Sequence, residues 1–127
     1  MNKRIYIASK TKHADKWIKL RSEGVNIIST WIDEAGAGQS PDMSDLCRRC
    51  VSESVQCDAM IVYAEEGDYL KGAFIEMGVA LSCPLKPVYL VGTVLPNGSA
   101  FTYSHQVSRA KNIEQAVQLI NAGSADR

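Results

Sequence analysis

Hydrophobic positions along the chain follow two rhythms. Short, nearly unbroken apolar runs recur at Arg4–Ala8, Val25–Thr30, Ala59–Tyr63 and Pro87–Val91. Such runs, bounded by polar residues, predict strands, and the most continuous of them predict strands buried on both faces. Helical spacing fills the gaps. Ala14, Trp17 and Ile18 share a face over Lys12–Glu23, and Gly24 supplies a left-handed stop. Trp31 to Met43, rich in Gly, Asp, Ser and Pro, is expected to be a loop. Ser44 is expected to cap a second helix reaching about Gln56. An acidic loop over Ala64–Lys71 precedes a third helix at Gly72–Ser82. Asn112, with Gln115 three residues on as in a capping box, opens a last helix ending near Asn121.

Strands alternating with helices predict parallel pairing through right-handed crossovers. The expected fold is α/β: a flavodoxin-like (Rossmann-like) three-layer sandwich around a central parallel sheet of four to five strands. Residues 1–121 are expected to form one domain, with 122–127 a small, polar, frayed tail. Ligands in such sheets sit beyond the carboxyl ends of the strands. That places Ser9–Lys12, Trp31 onward and Ala64–Gly72 around the site.

Composition narrows the function. Of 127 residues, 46% are hydrophobic and 22% charged, values of an ordinary globular protein. Lys+Arg and Asp+Glu both number 14, so no basic excess points to a nucleic acid polymer or an anionic membrane. No apolar run approaches the ~18 residues of a membrane span. The apolar start is too short for a signal peptide, and a cytoplasmic location is expected. The four cysteines are then free thiols. Cys47 and Cys50 form a C-x-x-C, but no second pair follows and both histidines are distant. Positions 47, 50, 51, 54 and 57 fit one helical face, so packing rather than metal binding is expected. No cofactor is expected.

One residue stands out chemically. Between Gly72 and Leu85 the only charge is Glu76, set in Gly-Ala-Phe-Ile-Glu-Met-Gly-Val-Ala-Leu. A carboxylate drawn into an apolar helix is desolvated and its pKa rises unless partners hold the charge. Perturbed carboxylates gather at sites. Glu76 is also near its helix N-terminus, where the dipole favours an anion for structural reasons alone. Gly72 permits close ligand approach, or serves packing.

The segments Ile-Tyr-Ile-Ala-Ser, Ile-Ser-Thr-Trp-Ile-Asp, Cys-Asp-Ala-Met-Ile-Val-Tyr, Lys-Gly-Ala-Phe-Ile-Glu-Met-Gly-Val-Ala-Leu and Lys-Pro-Val-Tyr-Leu-Val-Gly, in that order, resemble the nucleoside 2-deoxyribosyltransferase-like family. That family includes the 2'-deoxynucleoside 5'-monophosphate N-glycosidases. The resemblance spans about residues 4–120. It implies that Glu76 is a nucleophile attacking the anomeric carbon of a (2'-deoxy)nucleoside or nucleotide, giving a covalent glycosyl ester that a second base or water resolves. A second acid would protonate the leaving base. Where the family usually has an Asp on the preceding helix, this chain has Cys50. Six residues before the glutamate it has Leu70. Glu53 and Asp45 on that helix, and Asp68 on the loop, are the nearest carboxylates.

The resemblance also implies that Ser9 holds sugar or phosphate, although a helix cap explains it equally. Lys10 and Lys12 are phosphate ligands or solvated lysines. Trp31 stacks on a base or anchors the core. The small-molecule partner is a nucleoside or nucleotide. The family is oligomeric, with a neighbour's loop completing the site, here about Thr93–Ser104 with Asn97, Ser99 and Tyr103; a homo-oligomer (dimer or higher) is therefore implied. A non-catalytic nucleotide-binding or sensing domain is the alternative. A flavin binder ranks below both, because Ser9-Lys10-Thr11-Lys12 is no Ser/Thr-rich phosphate loop.

Overall fold

Four parallel strands run side by side among the described residues, in the order β1 (Ile5–Ala8), β2 (Ala59–Ala64), β3 (Val88–Gly92), β4 (Val107–Ala110). The computed structural model describes residues 2–35, 41–96 and 99–123. Ile5 lies opposite Ala59, Met60 opposite Val88, and Val88 opposite Val107. The helices are α1 (Ala14–Ser22), α2 (Trp31–Ala35), α3 (Met43–Gln56), α4 (Gly72–Leu81) and α5 (Ile113–Ala122), with 3-10 turns at Thr11–His13 and Ala100–Tyr103.

Side chains alternate across a sheet, and parallel partners share a face. Tyr6, Met60 and Val62 therefore point one way, and Ile7, Ile61 and Tyr63 the other. On the Tyr63 face, the Trp17 ring of α1 meets Tyr63 edge-on at 5.1 Å. A cleft of about 480 Å3 there is walled by Trp17, Tyr63, Val91 and Ile113 of α5. On the Tyr6 face, α3 and α4 lie against each other and α4 crosses β1, β2 and β3. The fully buried centre comprises Ile5, Tyr6, Ile7, Met60, Ile61, Val62 and Val88. This is a three-layer α/β sandwich, as the alternation predicts.

Several expectations need correction. Val25–Thr30 does not form a regular strand. It touches β1 through one parallel bridge, Ile5 to Ile27, flanked by Ile5 N–H to Asn26 O and Ile28 N–H to Ile5 O, both 2.9 Å. Beyond that, side chains take over the ladder: Ile7 N–H donates to Ser29 Oγ at 2.7 Å, and the Trp31 indole donates to Ile7 O at 3.0 Å. The segment still sits beside β1, so the spatial order is that of a doubly wound sheet with its second strand reduced to a bridge. Trp31 begins the short helix α2 rather than a loop, because Trp31 and Ile32 are buried.

Helix α3 is capped by Asp42, not Ser44: its carboxylate accepts from Asp45 N–H. Of the cysteine-bearing face, Ser54 and Cys57 are buried and Cys50 partly so, whereas Cys47 and Val51 are exposed. Asn112 caps α5 as expected, accepting from Gln115 N–H at 2.8 Å. The Gln115 side chain accepts in turn from Lys111 N–H rather than Asn112 N–H. Helix α5 runs to Ala122, so the expected tail begins one residue inside it. Residues 124–127 of that tail, and Asn97, lie outside the described residues.

Candidate active site

Side chains from β1, α3 and α4 converge on one point of the Tyr6 face. Tyr6 is central in β1 and points toward α3 and α4. Cys50 is midway along α3 on its inward side. Glu76 is one turn into α4, which packs over β1. The three side chains meet where α3, α4 and β1 join. Burial raises the Glu76 carboxyl from 4.5 to about 7; the adjacent Tyr6 hydroxyl and Cys50 thiol oppose the rise, and the charge of Glu53 adds to it. Burial likewise pushes the Cys50 thiol up to about 11, with the nearby Glu76 charge adding to it. Burial, then Glu76, also drives the Tyr6 phenol upward. Tyr6 and Cys50 are therefore neutral donors at physiological pH, facing one carboxylate that no cation among the described residues neutralises.

The Tyr6 hydroxyl is fully enclosed, with Tyr6 0% exposed, and forms no well-aligned hydrogen bond. Proximity to Glu76 and Cys50 shifts their protonation, yet the geometry falls short of a formed bond. A buried donor of this kind is ready to engage a carboxylate oxygen or a ligand.

Glu53, one turn along α3 from Cys50, accepts from Thr30 N–H at 3.1 Å and from Thr30 Oγ1 at 2.7 Å. It thus ties α3 to the carboxyl end of the reduced second strand, next to Glu76. Asp45 is bound by Arg49 and Arg48, and Arg49 also bonds Glu34 and Thr30.

Asp68 is elsewhere occupied. Its side chain is closed from solvent, accepting from Glu65 N–H at 2.9 Å and lying 2.8 Å from both Lys12 Nζ and His13 Nε2. The Glu65 amide, then Lys12 and His13, hold its carboxyl far below the usual carboxylate range. An anion so held donates no proton at neutral pH, contrary to the acid role expected for it.

The other expected site residues fall into place unequally. Ser9 does not cap a helix; its hydroxyl accepts from the Trp17 indole at 2.9 Å and donates to Lys10 O. Lys10 is exposed. Trp31 is 6% exposed and bonded to β1, so it anchors the core rather than offering a ring for stacking. Gly72 is exposed, with open space around it. Ser99 caps the 3-10 turn by accepting from Phe101 N–H, and it borders an apolar groove of about 340 Å3 between α4 and Phe101.

The sequence did not single out Tyr6 or His13. Tyr6 was legible as a large polar-tipped residue in a strand buried on both faces. His13 carried no signal, being one histidine in a polar turn. Among the described residues no group of three His, Cys, Asp or Glu side chains is placed to hold a metal, and no helix is long and apolar enough to cross a membrane.

The sheet order, the helices on both faces and a carboxylate at the helix–sheet seam define an α/β protein of flavodoxin-like architecture. Among solved structures the chain is similar in fold to the Clostridium botulinum CMP N-glycosidase BcmB, with a TM-score of 0.52 and 20% identity, covering 95% of this chain and 100% of that chain. No protein-family model matches the chain, and no curated protein matches it at a significant level.

Proposed function

We propose that this protein cleaves or transfers the N-glycosidic bond of a (2'-deoxy)nucleoside or nucleotide, with Glu76 as nucleophile. The observation that carries this reading is the Glu76 environment: a desolvated carboxylate beside two neutral donors, without a compensating cation among the described residues. Desolvation makes the anion more basic and less shielded, which suits attack on an oxocarbenium-like centre. A Glu76 oxygen bonds to the anomeric carbon as the carbon–nitrogen bond breaks and the base leaves with its electron pair and a proton. Water or a second base then displaces the ester, restoring Glu76. Glu53 is the remaining candidate for the proton donor, since Asp68 is held as an anion; in that role it carries the proton in place of accepting from the Thr30 hydroxyl. The solved fold neighbour acts on CMP, which agrees with a nucleotide substrate.

A homo-oligomer is part of the same reading. Val51 and Val55 on α3 and Phe74 and Ile75 on α4 are each exposed. Exposed apolar side chains of this kind mark an association surface.

The test is mass spectrometry of the protein after incubation with nucleosides, nucleotides and nicotinamide dinucleotide. A sugar adduct on Glu76 and free base are expected. Folded Glu76→Ala releases none, and the wild-type rate rises with pH through about 7 as Glu76 ionises. No base from any substrate defeats the enzyme reading. The occupied Asp68 favours the alternative of a nucleotide-binding domain without turnover, which thermal stabilisation by a nucleotide with no product would select.

A further inference from the structure

The segment leading into α4 is almost bare. Of residues 65–71 all but Asp68 and Leu70 are exposed, and α4 starts after Lys71 with no side-chain cap. One carboxylate fastens it. Asp68 Oδ2 accepts from Glu65 N–H and from His13 Nε2, while Oδ1 pairs with Lys12. Because an ionised carboxylate only accepts, the His13 ring presents its N–H at Nε2. The Glu65–Asp68 turn is closed again by Asp68 N–H to Glu65 O at 3.0 Å, with Gly67 left-handed at φ +90°.

His13 is fixed in its turn. Its side chain is 7% exposed, its ring stands edge-on to Tyr63 at 5.2 Å, and Nδ1 lies 3.9 Å from Glu65. Tyr63 Oη donates to the same Glu65 oxygen at 2.5 Å. The turn after β1 and the loop after β2 are thus one bonded unit on the opposite side of the sheet from Tyr6. Glu76 lies eight residues after Asp68, one helical turn into α4, with Tyr69, Leu70 and Lys71 joining the fastened loop to the helix.

We propose that His13 and Asp68 form a latch that positions Glu76, fixing where α4 begins and so holding the carboxylate against Tyr6 and Cys50. The proposal rests on Glu76 being the reacting group, but the latch touches no reacting atom. His13 and Asp68 are positioning residues. Without the latch, an uncapped helix end on a solvent-exposed loop opens locally. Its first turn frays, water reaches Glu76, and the carboxylate leaves its seam.

The test is the titration of the Glu76 carboxyl carbon by NMR, with amide exchange of residues 72–76, in the full-length wild type and Asp68→Asn. In the variant Glu76 titrates about one pH unit or more closer to an ordinary glutamate. Amides 72–76 exchange roughly tenfold faster, while those of β3 keep their protection. Should Asp68→Asn fail to fold, His13→Gln is measured with the same expectations. A Glu76 titration and exchange pattern equal to wild type overturns the latch. Base release is followed on the same samples. A wild type without release defeats the glycosidic reading while the titration still decides the latch. A variant that keeps the wild-type kcat overturns the latch as a positioning device; the expected loss is roughly ten- to hundredfold in kcat with KM little changed.

Discussion

A glutamate that titrates near 7 in the folded chain destabilises the fold whenever it is ionised. The ordinary value is 4.5 and the folded value about 7, so the native state binds the proton more tightly than the unfolded chain between those limits. The associated stability is fully present below about pH 4.5 and is lost as pH rises through 7. A shift of this size corresponds to ~3 kcal/mol. Glu76→Gln, which keeps the shape and removes the charge, is therefore expected to match wild-type stability near pH 4. It should exceed it by about 2–3 kcal/mol at pH 8 in denaturant titrations. Equal stabilities at pH 8 would show that the carboxylate is solvated. A residue that lowers stability where it is charged is what a site, rather than a packing role, explains.

At the level of elements, two left-handed glycines separate backbone strain from steric fit. Gly92, at the end of β3, has φ +87°, and a Cβ there would lie 1.9 Å from Ala64 O. That oxygen belongs to the neighbouring strand and accepts from Thr93 N–H at 2.9 Å, so it cannot yield without breaking the end of the sheet. Gly67 has φ +90°, but a Cβ there meets nothing within 4 Å. Gly67→Ala is expected to cost only the left-handed strain, roughly 1–2 kcal/mol. Gly92→Ala should cost clearly more, on the order of 3 kcal/mol or above. Chemical denaturation of both variants decides it, and equal losses would refute the close approach. The turn glycines were visible in the sequence, but which of them faced a neighbouring strand was not.

For the whole molecule, the outer surface of α3 and α4 carries the prediction. Ile75 on α4 is 69% exposed, so Ile75→Arg leaves the core untouched. Sedimentation is expected to show an assembled wild type and a smaller Ile75→Arg species with an unchanged fold; a monomeric wild type at tens of micromolar would exclude assembly through this face. The parallel α/β architecture, the position of each long helix and the isolation of Glu76 in an apolar helix were determined by sequence alone. Each is a matter of local periodicity, read within a dozen residues. The reduction of Val25–Thr30 to a single bridge was decided by tertiary structure, because Ser29 and Trp31 reach β1 with side chains where a strand would use its backbone. The fate of Asp68 was decided the same way, through a partner, His13, 55 residues distant. So was the company of Glu76: Tyr6, Cys50 and Glu53 arrive from β1 and α3, and only the packing of those elements brings them to one point. Residue spacing fixes which side of an element a group occupies; what it meets there depends on contacts between segments that no local pattern encodes.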